Sequence, residues 1–219
     1  MDSLAEPFPE MLAGLSGPMP SRFVEGHKAH IAIIGAGAFG TALAACARSG
    51  GCEVTVISHE PTKRQEYKTD PLLSLCQFEY QYETNVNLCE FDAVILAISS
   101  QAIREVATWM TTQQKRFYSS PQDMPALHIA CAAKGIERET LKVPSEILTE
   151  ILPAQAKIGT LSGPSFAKEL RRGLPSALVF ASKHSDFRQR MKSLLHRAFL
   201  RIYDSDDEIG VEVAGALKN

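Results

Sequence analysis

The chain has 219 residues, 45% of them hydrophobic and 22% charged, with a formal net charge of −2 at pH 7. That length and balance suit one sizeable buried core and are those of an ordinary globular protein. The near-neutral charge gives no general attraction to nucleic acid or anionic membranes, and no apolar run approaches the roughly 20 residues of a membrane-spanning helix.

The five cysteines (Cys46, Cys52, Cys76, Cys89, Cys131) are odd in number and contain no C-x-x-C pair. This argues against a disulfide scaffold or structural zinc and for a reducing compartment, with the cytoplasm as the expected location. Residues 1–28 read as a flexible leader. Pro7, Pro9, Pro18 and Pro20 and several acidic side chains give it neither the apolar core of a secretory signal nor the composition of a transit peptide.

Order is expected from Ala29. His30 to Ile34 is a short β-branched run that ends in glycine, the pattern of a buried strand. A turn follows over Gly35 to Gly40, then a small-residue helix over Thr41 to Ser49 stopped by Gly50-Gly51, then a strand over Glu53 to Ser58. Strand, glycine turn, helix and strand within about 30 residues make a βαβ unit. Pro61 to Glu90 is polar and irregular, with no clear element. Further strands are predicted over Phe91 to Ile98, Ala126 to Ala133, Ile158 to Leu161, Ser176 to Ala181 and Leu200 to Tyr203. Helices are predicted over Gln101 to Thr112, Leu141 to Leu152, Ser165 to Arg172 and Phe187 to Ala198, with a hydrophilic loop over Gln113 to Pro125. Alternation of this kind implies an α/β fold: a Rossmann-type, doubly wound, mostly parallel sheet with helices on both faces.

Asp206 to Asn219 opens a last helix whose apolar residues Val211, Val213, Ala214 and Leu217 have nothing further in the chain to pack on. The expected division is therefore a leader (1–28), a dinucleotide-binding domain (29–204) and the first helix of a truncated helical substrate domain (205–219).

Gly35-Ala36-Gly37-Ala38-Phe39-Gly40 fits G-x-G-x-x-G. Gly35 would make the tight turn, Gly37 would admit a diphosphate close to the backbone, and Gly40 would let helix and strand pack closely. Free amides and the positive helix end would then face the phosphates. The position after a strand and before a helix raises this motif above a chance glycine turn. After the second strand come Ser58, His59, Glu60, Lys63 and Arg64. Glu60 stands one or two residues late to accept from the 2′-hydroxyl of NAD. Ser58, His59, Lys63 and Arg64 would suit the 2′-phosphate of NADP or would be solvated loop residues, so NAD and NADP both stay open.

Lys134 follows a buried strand at the sheet's carboxyl edge, where ligands of open α/β sheets bind. Position alone does not separate an anion or carbonyl contact from an ordinary surface lysine. Gly163-Pro164-Ser165-Phe166-Ala167 is a second small-residue turn, in which spacing favours Ser165 as a helix cap over a substrate contact. Lys218 reads from periodicity as an exposed helix lysine, and Glu212 lies too far along the helix to pair with it.

Taken together, IAIIGAGAFGTALA (Ile31 to Ala44), AAKGIE (Ala132 to Glu137), LSGPSFAKE (Leu161 to Glu169) and EVAGALKN (Glu212 to Asn219) resemble the NAD(P)-dependent glycerol-3-phosphate dehydrogenases, across nearly the whole chain after the leader. The resemblance implies interconversion of dihydroxyacetone phosphate and sn-glycerol 3-phosphate with NAD or NADP. It implies that Lys218 is the general acid/base and that Lys134 lies near substrate and cofactor. It assigns Gly35, Gly37, Ala38, Phe39, Gly40, His59 and Ala167 to the cofactor, and Gly163, Ser165 and Asn219 to the substrate. No metal is needed, because two converging lysines can lower each other's proton affinity.

Members of the family continue past GALKN into a helical domain with an aspartate and a Ser-Arg-Asn cluster that grip the substrate phosphate. This chain lacks that domain, so the helix carrying Lys218 is expected to lack the partners that fix it, and the chain to bind dinucleotide without efficient turnover. Oligomeric state is unreadable; a homodimer is one assembly open to the complete enzyme. The alternatives are a catalytically inactive dinucleotide-binding module or degenerate paralogue, and a related 6-phosphogluconate or hydroxy-acid dehydrogenase. The last is not expected to carry GPSFA and GALKN together.

Overall fold

The computed structural model describes residues 28–218, apart from 61, 62, 67, 69 and 82. Residues 1–27 of the expected leader, and Asn219, lie outside the described residues. The strands are β1 (His30–Ile34), β2 (Glu53–Ser58), β3 (Gln77–Tyr80), β4 (Ala93–Leu96), β5 (His128–Cys131), β6 (Lys157–Ser162), β7 (Ser176–Ala181) and β8 (Leu200–Ser205). The helices are α1 (Ala38–Ser49), α2 (Lys63–Glu66), α3 (Ile103–Gln114), α4 (Pro144–Ile151), α5 (Ala167–Arg171), α6 (Ser185–Leu195) and α7 (Glu208–Leu217).

All eight strands form one sheet in the order β3-β2-β1-β4-β5-β6-β7-β8. Every pairing is parallel except β6 with β7, which is antiparallel. The first six strands in this order have the doubly wound arrangement of a Rossmann domain, and chain order reverses between β1 and β4. That reversal opens a crevice at the carboxyl ends of the two strands, beside the glycine turn.

Burial follows from the strand period of two. Ile31 and Ile33 enter a core on the face covered by α1, α5 and α6, whereas Ala32 and Ile34 enter the core under α3 and α4. Because both faces are covered, β4 and β1 after His30 read as unbroken apolar runs. Phe180 of β7 and Phe187 of α6 are both fully buried and meet edge to face at 5.0 Å.

The described residues of the irregular stretch Pro61 to Glu90 contain elements that its sequence does not announce: α2, the edge strand β3, and single 3-10 turns at Leu73–Leu75 and Leu88–Glu90. β3 is QFEY, exposed at Gln77 and half-buried at the other three positions, and it pairs with β2 alone. An edge strand with no fully covered face needs no apolar alternation. Helix α3 also runs two residues past its predicted end into the expected loop. Gln113 and Gln114 are buried there, and the Gln113 amide donates to the Thr84 carbonyl at 2.7 Å. Polar composition suggested a solvated loop, but a tertiary hydrogen bond holds the extra turn.

Replacing Phe180 with Ala should lower unfolding free energy by about 3–5 kcal/mol through lost burial and the cavity left behind. Urea denaturation would read this as a lower midpoint with little change in slope.

Candidate functional site

The glycine turn joins β1 to α1 at the reversal of strand order. Gly35 has φ +112°, and a side chain there would overlap the Ala97 carbonyl just past β4. A side chain on Gly40 would overlap the Gly35 carbonyl, so its absence lets α1 begin directly on the turn. Gly37 differs from both. It is exposed, and nothing lies within 4 Å of where its side chain would be. Gly37 caps α1 without any side-chain hydrogen bond, and the first turn carries no acidic residue. The result is an open backbone cradle at a positive helix end, beside exposed Ala38 and half-buried Phe39. Its shape and donor chemistry fit a diphosphate.

Two lysines stand farther along the same edge. Lys134 follows β5, and its ammonium donates to the Gly163 carbonyl at 2.8 Å and lies 6.0 Å from the Phe39 ring centre. Burial, and then the charge of Lys218, push the Lys134 proton affinity below that of an ordinary lysine. Lys218 caps the carboxyl end of α7, with its ammonium 4.5 Å from the centre of the Phe166 ring. Phe39, Lys134, Gly163, Phe166 and Lys218, which come from the start of α1, two loops and the end of α7, therefore share one edge of the sheet.

The loop after Lys134 is tied to the start of α3. Arg104 grips Glu137 through two hydrogen bonds of 2.8 and 2.9 Å, and Thr140 donates to the same carboxylate. The Gln101 amide donates to the Ile136 carbonyl at 2.8 Å, and its side-chain oxygen accepts from the Arg138 N–H at 3.1 Å. Hydrogen bonding to Arg104 holds the Glu137 carboxyl down at about 2.

Other residues singled out from the sequence are arranged differently. The Ser165 hydroxyl does not cap the following helix. It is buried and donates to the Ala177 carbonyl of β7 at 2.8 Å, while α5 starts at Ala167 with its first turn closed by the Glu169 carboxylate accepting from the Phe166 N–H. Ala167 is half-buried against the core. His59 is exposed at the end of β2, where Glu60 pairs with it at 3.5 Å and with Lys63 at 3.7 Å. The Ser58 hydroxyl accepts from the Glu60 N–H at 3.0 Å. The Arg64 side chain lies outside the described residues. Among the cysteines, Cys46, Cys52 and Cys131 are buried and Cys76 and Cys89 half-buried, all as free thiols. Burial raises Cys46 and Cys131 to about 12.

The apolar face of α7 points outward, in keeping with its lack of anything further in the chain to pack on: Val213, Leu217 and also Ile209 are exposed, and the buried positions are Glu212 and Gly215. What is overturned is the expectation that the helix lacks partners to fix it. The Glu212 carboxylate accepts from the Ser145 N–H and hydroxyl and from the Thr160 hydroxyl. The helix is thus fixed by polar contacts within this chain. The signal available in the sequence was an acidic residue in the middle of an apolar helix.

A family model described as NAD-dependent glycerol-3-phosphate dehydrogenase N-terminus matches residues 30–188. The chain belongs to that family. It is 35% identical over 194 residues to the glycerol-3-phosphate dehydrogenase [NAD(P)+] of Nitrosomonas europaea, with 87% of this chain and 57% of the relative aligned. The corresponding enzyme of Hydrogenovibrio crunogenus is 36% identical, over 86% of this chain and 56% of the relative. Among solved structures, glycerol-3-phosphate dehydrogenase from Coxiella burnetii superposes with a TM-score of 0.70 at 28% identity, over 86% of this chain and 57% of that one. The chain therefore spans somewhat more than half the length of these glycerol-3-phosphate dehydrogenases. The family match takes in the open glycine cradle and Lys134, and ends before α7 begins.

Replacing Arg104 with Met should return the Glu137 carboxyl toward the ordinary carboxylate range. In the unaltered protein the pair is present above the ordinary Glu value and is lost as pH falls through about 2. Carboxyl-carbon NMR titration of Glu137 in both forms checks this directly.

Proposed function

We propose that the chain is the dinucleotide-binding part of a glycerol-3-phosphate dehydrogenase, with residues 29–204 as the cofactor domain and 205–219 as the first helix of a helical substrate domain. The single observation that carries the reading is that Lys134, bonded to the Gly163 carbonyl, and Lys218, against the Phe166 ring, stand on the sheet edge that also holds the open glycine cradle.

NAD or NADP, when bound, supplies or accepts a hydride at C4 of its nicotinamide. The backbone amides from Gly37 to Gly40 would hold its diphosphate, with Phe39 beside them. Reduction of dihydroxyacetone phosphate places negative charge on the ketone oxygen as its carbon receives hydride. Lys134 holds that oxygen electrostatically, and Lys218 delivers the proton that completes the alcohol. In the reverse direction Lys218 takes the hydroxyl proton. Partial burial and the neighbouring charge of Lys218 lower the proton affinity of Lys134, the lysine that holds the ketone oxygen. Gly163 orients Lys134 through its carbonyl. Ser165 supports the substrate turn from below through its bond to β7, and Asn219, which follows Lys218 in the same motif, would complete the substrate contacts.

At the ribose end, Glu60 offers an acceptor for a 2′-hydroxyl, while Lys63 offers a cationic partner and His59 a ring N–H donor for a 2′-phosphate. The Glu60–Lys63 pair must open for the second. The free thiols of all five cysteines suit a reducing compartment such as the cytoplasm. No helix among the described residues is long and apolar enough to cross a membrane.

Nicotinamide fluorescence titrated with this chain should show saturable binding of NADH or NADPH. Lys63→Ala with Arg64→Ala should weaken NADPH selectively, and equal weakening of both would remove the 2′-phosphate role. When the chain is joined to the helical half of a family member, dihydroxyacetone phosphate should drive dinucleotide oxidation. Lys218→Ala should lower that kcat by roughly 10²–10⁴-fold. Dinucleotide binding with no turnover even in the completed protein would favour a redox-sensing module instead.

A further inference from the structure

Helix α7 rests on the domain by an unusual face. Ile209, Val213 and Leu217, spaced four residues apart, are 55%, 37% and 82% exposed, whereas Glu212 is 4% exposed. Hydrophobic burial therefore does not hold this helix in place. Its Glu212 carboxylate instead bridges two other elements. One oxygen accepts from the Ser145 N–H and the Thr160 hydroxyl, both at 2.9 Å, and the other accepts from the Ser145 hydroxyl at 2.6 Å. Ser145 stands in the first turn of α4, whose positive end favours an anion, and Thr160 lies in β6. At its start α7 has one further tie, the Glu208 carboxylate accepting from the Lys183 N–H at 2.9 Å.

The spacing past Glu212 gives the contact its consequence. Residues 212, 215 and 218 recur at three-residue intervals and form one stripe on the helix. A side chain at Gly215 would lie 2.5 Å from the Ser162 hydroxyl and 3.9 Å from Lys134 Cγ, so the bare glycine lets α7 sit directly over the Lys134 stem. Lys218, one further step along, then reaches Phe166.

We propose that Glu212 is a positioning residue, the pin that locks α7 onto β6 and α4 and so keeps Lys218 beside Lys134. The proposal rests on the dehydrogenase reading for its catalytic meaning, but the anchoring is a property of this chain alone. Burying a carboxylate is costly, and three donors offset that cost only while Ser145 and Thr160 keep their places. Removing the carboxylate leaves those donors buried and unpaired and gives α7 no alternative grip of comparable directness. Gln at this position keeps the geometry. Its oxygen accepts from the Ser145 N–H and Thr160, and its amide donates to the Ser145 hydroxyl.

The test uses the 219-residue chain with Glu212→Ala, Glu212→Gln and, for reference, Lys218→Ala. In Glu212→Ala, amide exchange across 208–217 should accelerate roughly 10- to 100-fold while β1, β4 and β5 keep their protection. The Lys134 titration, read by NMR of isotopically methylated lysines, should move up toward the ordinary lysine value as it does in Lys218→Ala. Glu212→Gln should restore both readouts. The proposal is overturned if Glu212→Ala leaves α7 exchange or the Lys134 titration unchanged. It is overturned equally if protection is lost evenly across the sheet, or if Gln fails to rescue. Failure of the dehydrogenase reading would appear elsewhere, as an unchanged kcat for Lys218→Ala in the completed enzyme, with the exchange results intact.

Discussion

The close approach of backbone to backbone at the turn between β1 and α1 is the constraint on which the rest of the molecule depends. Gly40 touches the Gly35 carbonyl, and Gly35 touches the Ala97 carbonyl, with no side chain between either pair. These contacts place the amino end of α1 in the crevice created by the reversal of strand order. A helix displaced by one methyl group would aim its unpaired amides elsewhere. Gly37 has no such neighbour, and its bareness keeps the cradle open. Three glycines in one short motif thus serve two opposite needs, contact at both ends and space in the middle.

Around that turn, the reactive groups sit on segments with little hydrophobic anchorage of their own. The Lys134 loop is held by Arg104 on Glu137 and by the Gln101 side chain, and α7 is held by Glu212. Hydrogen-bonded carboxylates suit this task because they are directional. An apolar contact would hold the segments near the sheet, but a carboxylate with two or three fixed donors also sets their rotation. The two anchors differ in chemistry. Glu137 is paired with a guanidinium and kept readily ionised, whereas burial raises the proton affinity of Glu212 against the opposing pull of its three neutral donors.

The lysines illustrate how a weak local signal becomes chemistry through convergence. Neither Lys134 nor Lys218 differs in sequence from a surface lysine, and they are separated by more than 80 positions. Brought to one edge, with the Lys134 stem partly buried and a second cation nearby, an ammonium loses some of its hold on its proton. Phe39 and Phe166 add aromatic faces 6.0 and 4.5 Å from the two ammonium nitrogens. Phe166 drew no attention in the sequence because a lone aromatic in a small-residue turn reads as packing.

The sheet's main strands, the glycine cradle and the family were legible from local pattern. Apolar β-branched runs and glycine spacing are local properties, and they mark β1, β2, β7 and the α1 turn almost to the residue. The sequence by itself left β3 unassigned and placed the last two residues of α3 in a loop. One is a polar edge strand and the other is held by a buried glutamine, so neither carries the periodicity that burial on one face imposes. It gave no partner for α7 and the wrong role for the Ser165 hydroxyl, because in both a polar group found its partner on another element of the chain. Which donors meet Glu212, and which carbonyl receives Ser165, depends on how β6, β7 and α4 come together. Only the tertiary structure could decide that, since a buried hydrogen bond is specified by the positions of both partners and a sequence pattern displays one partner at a time.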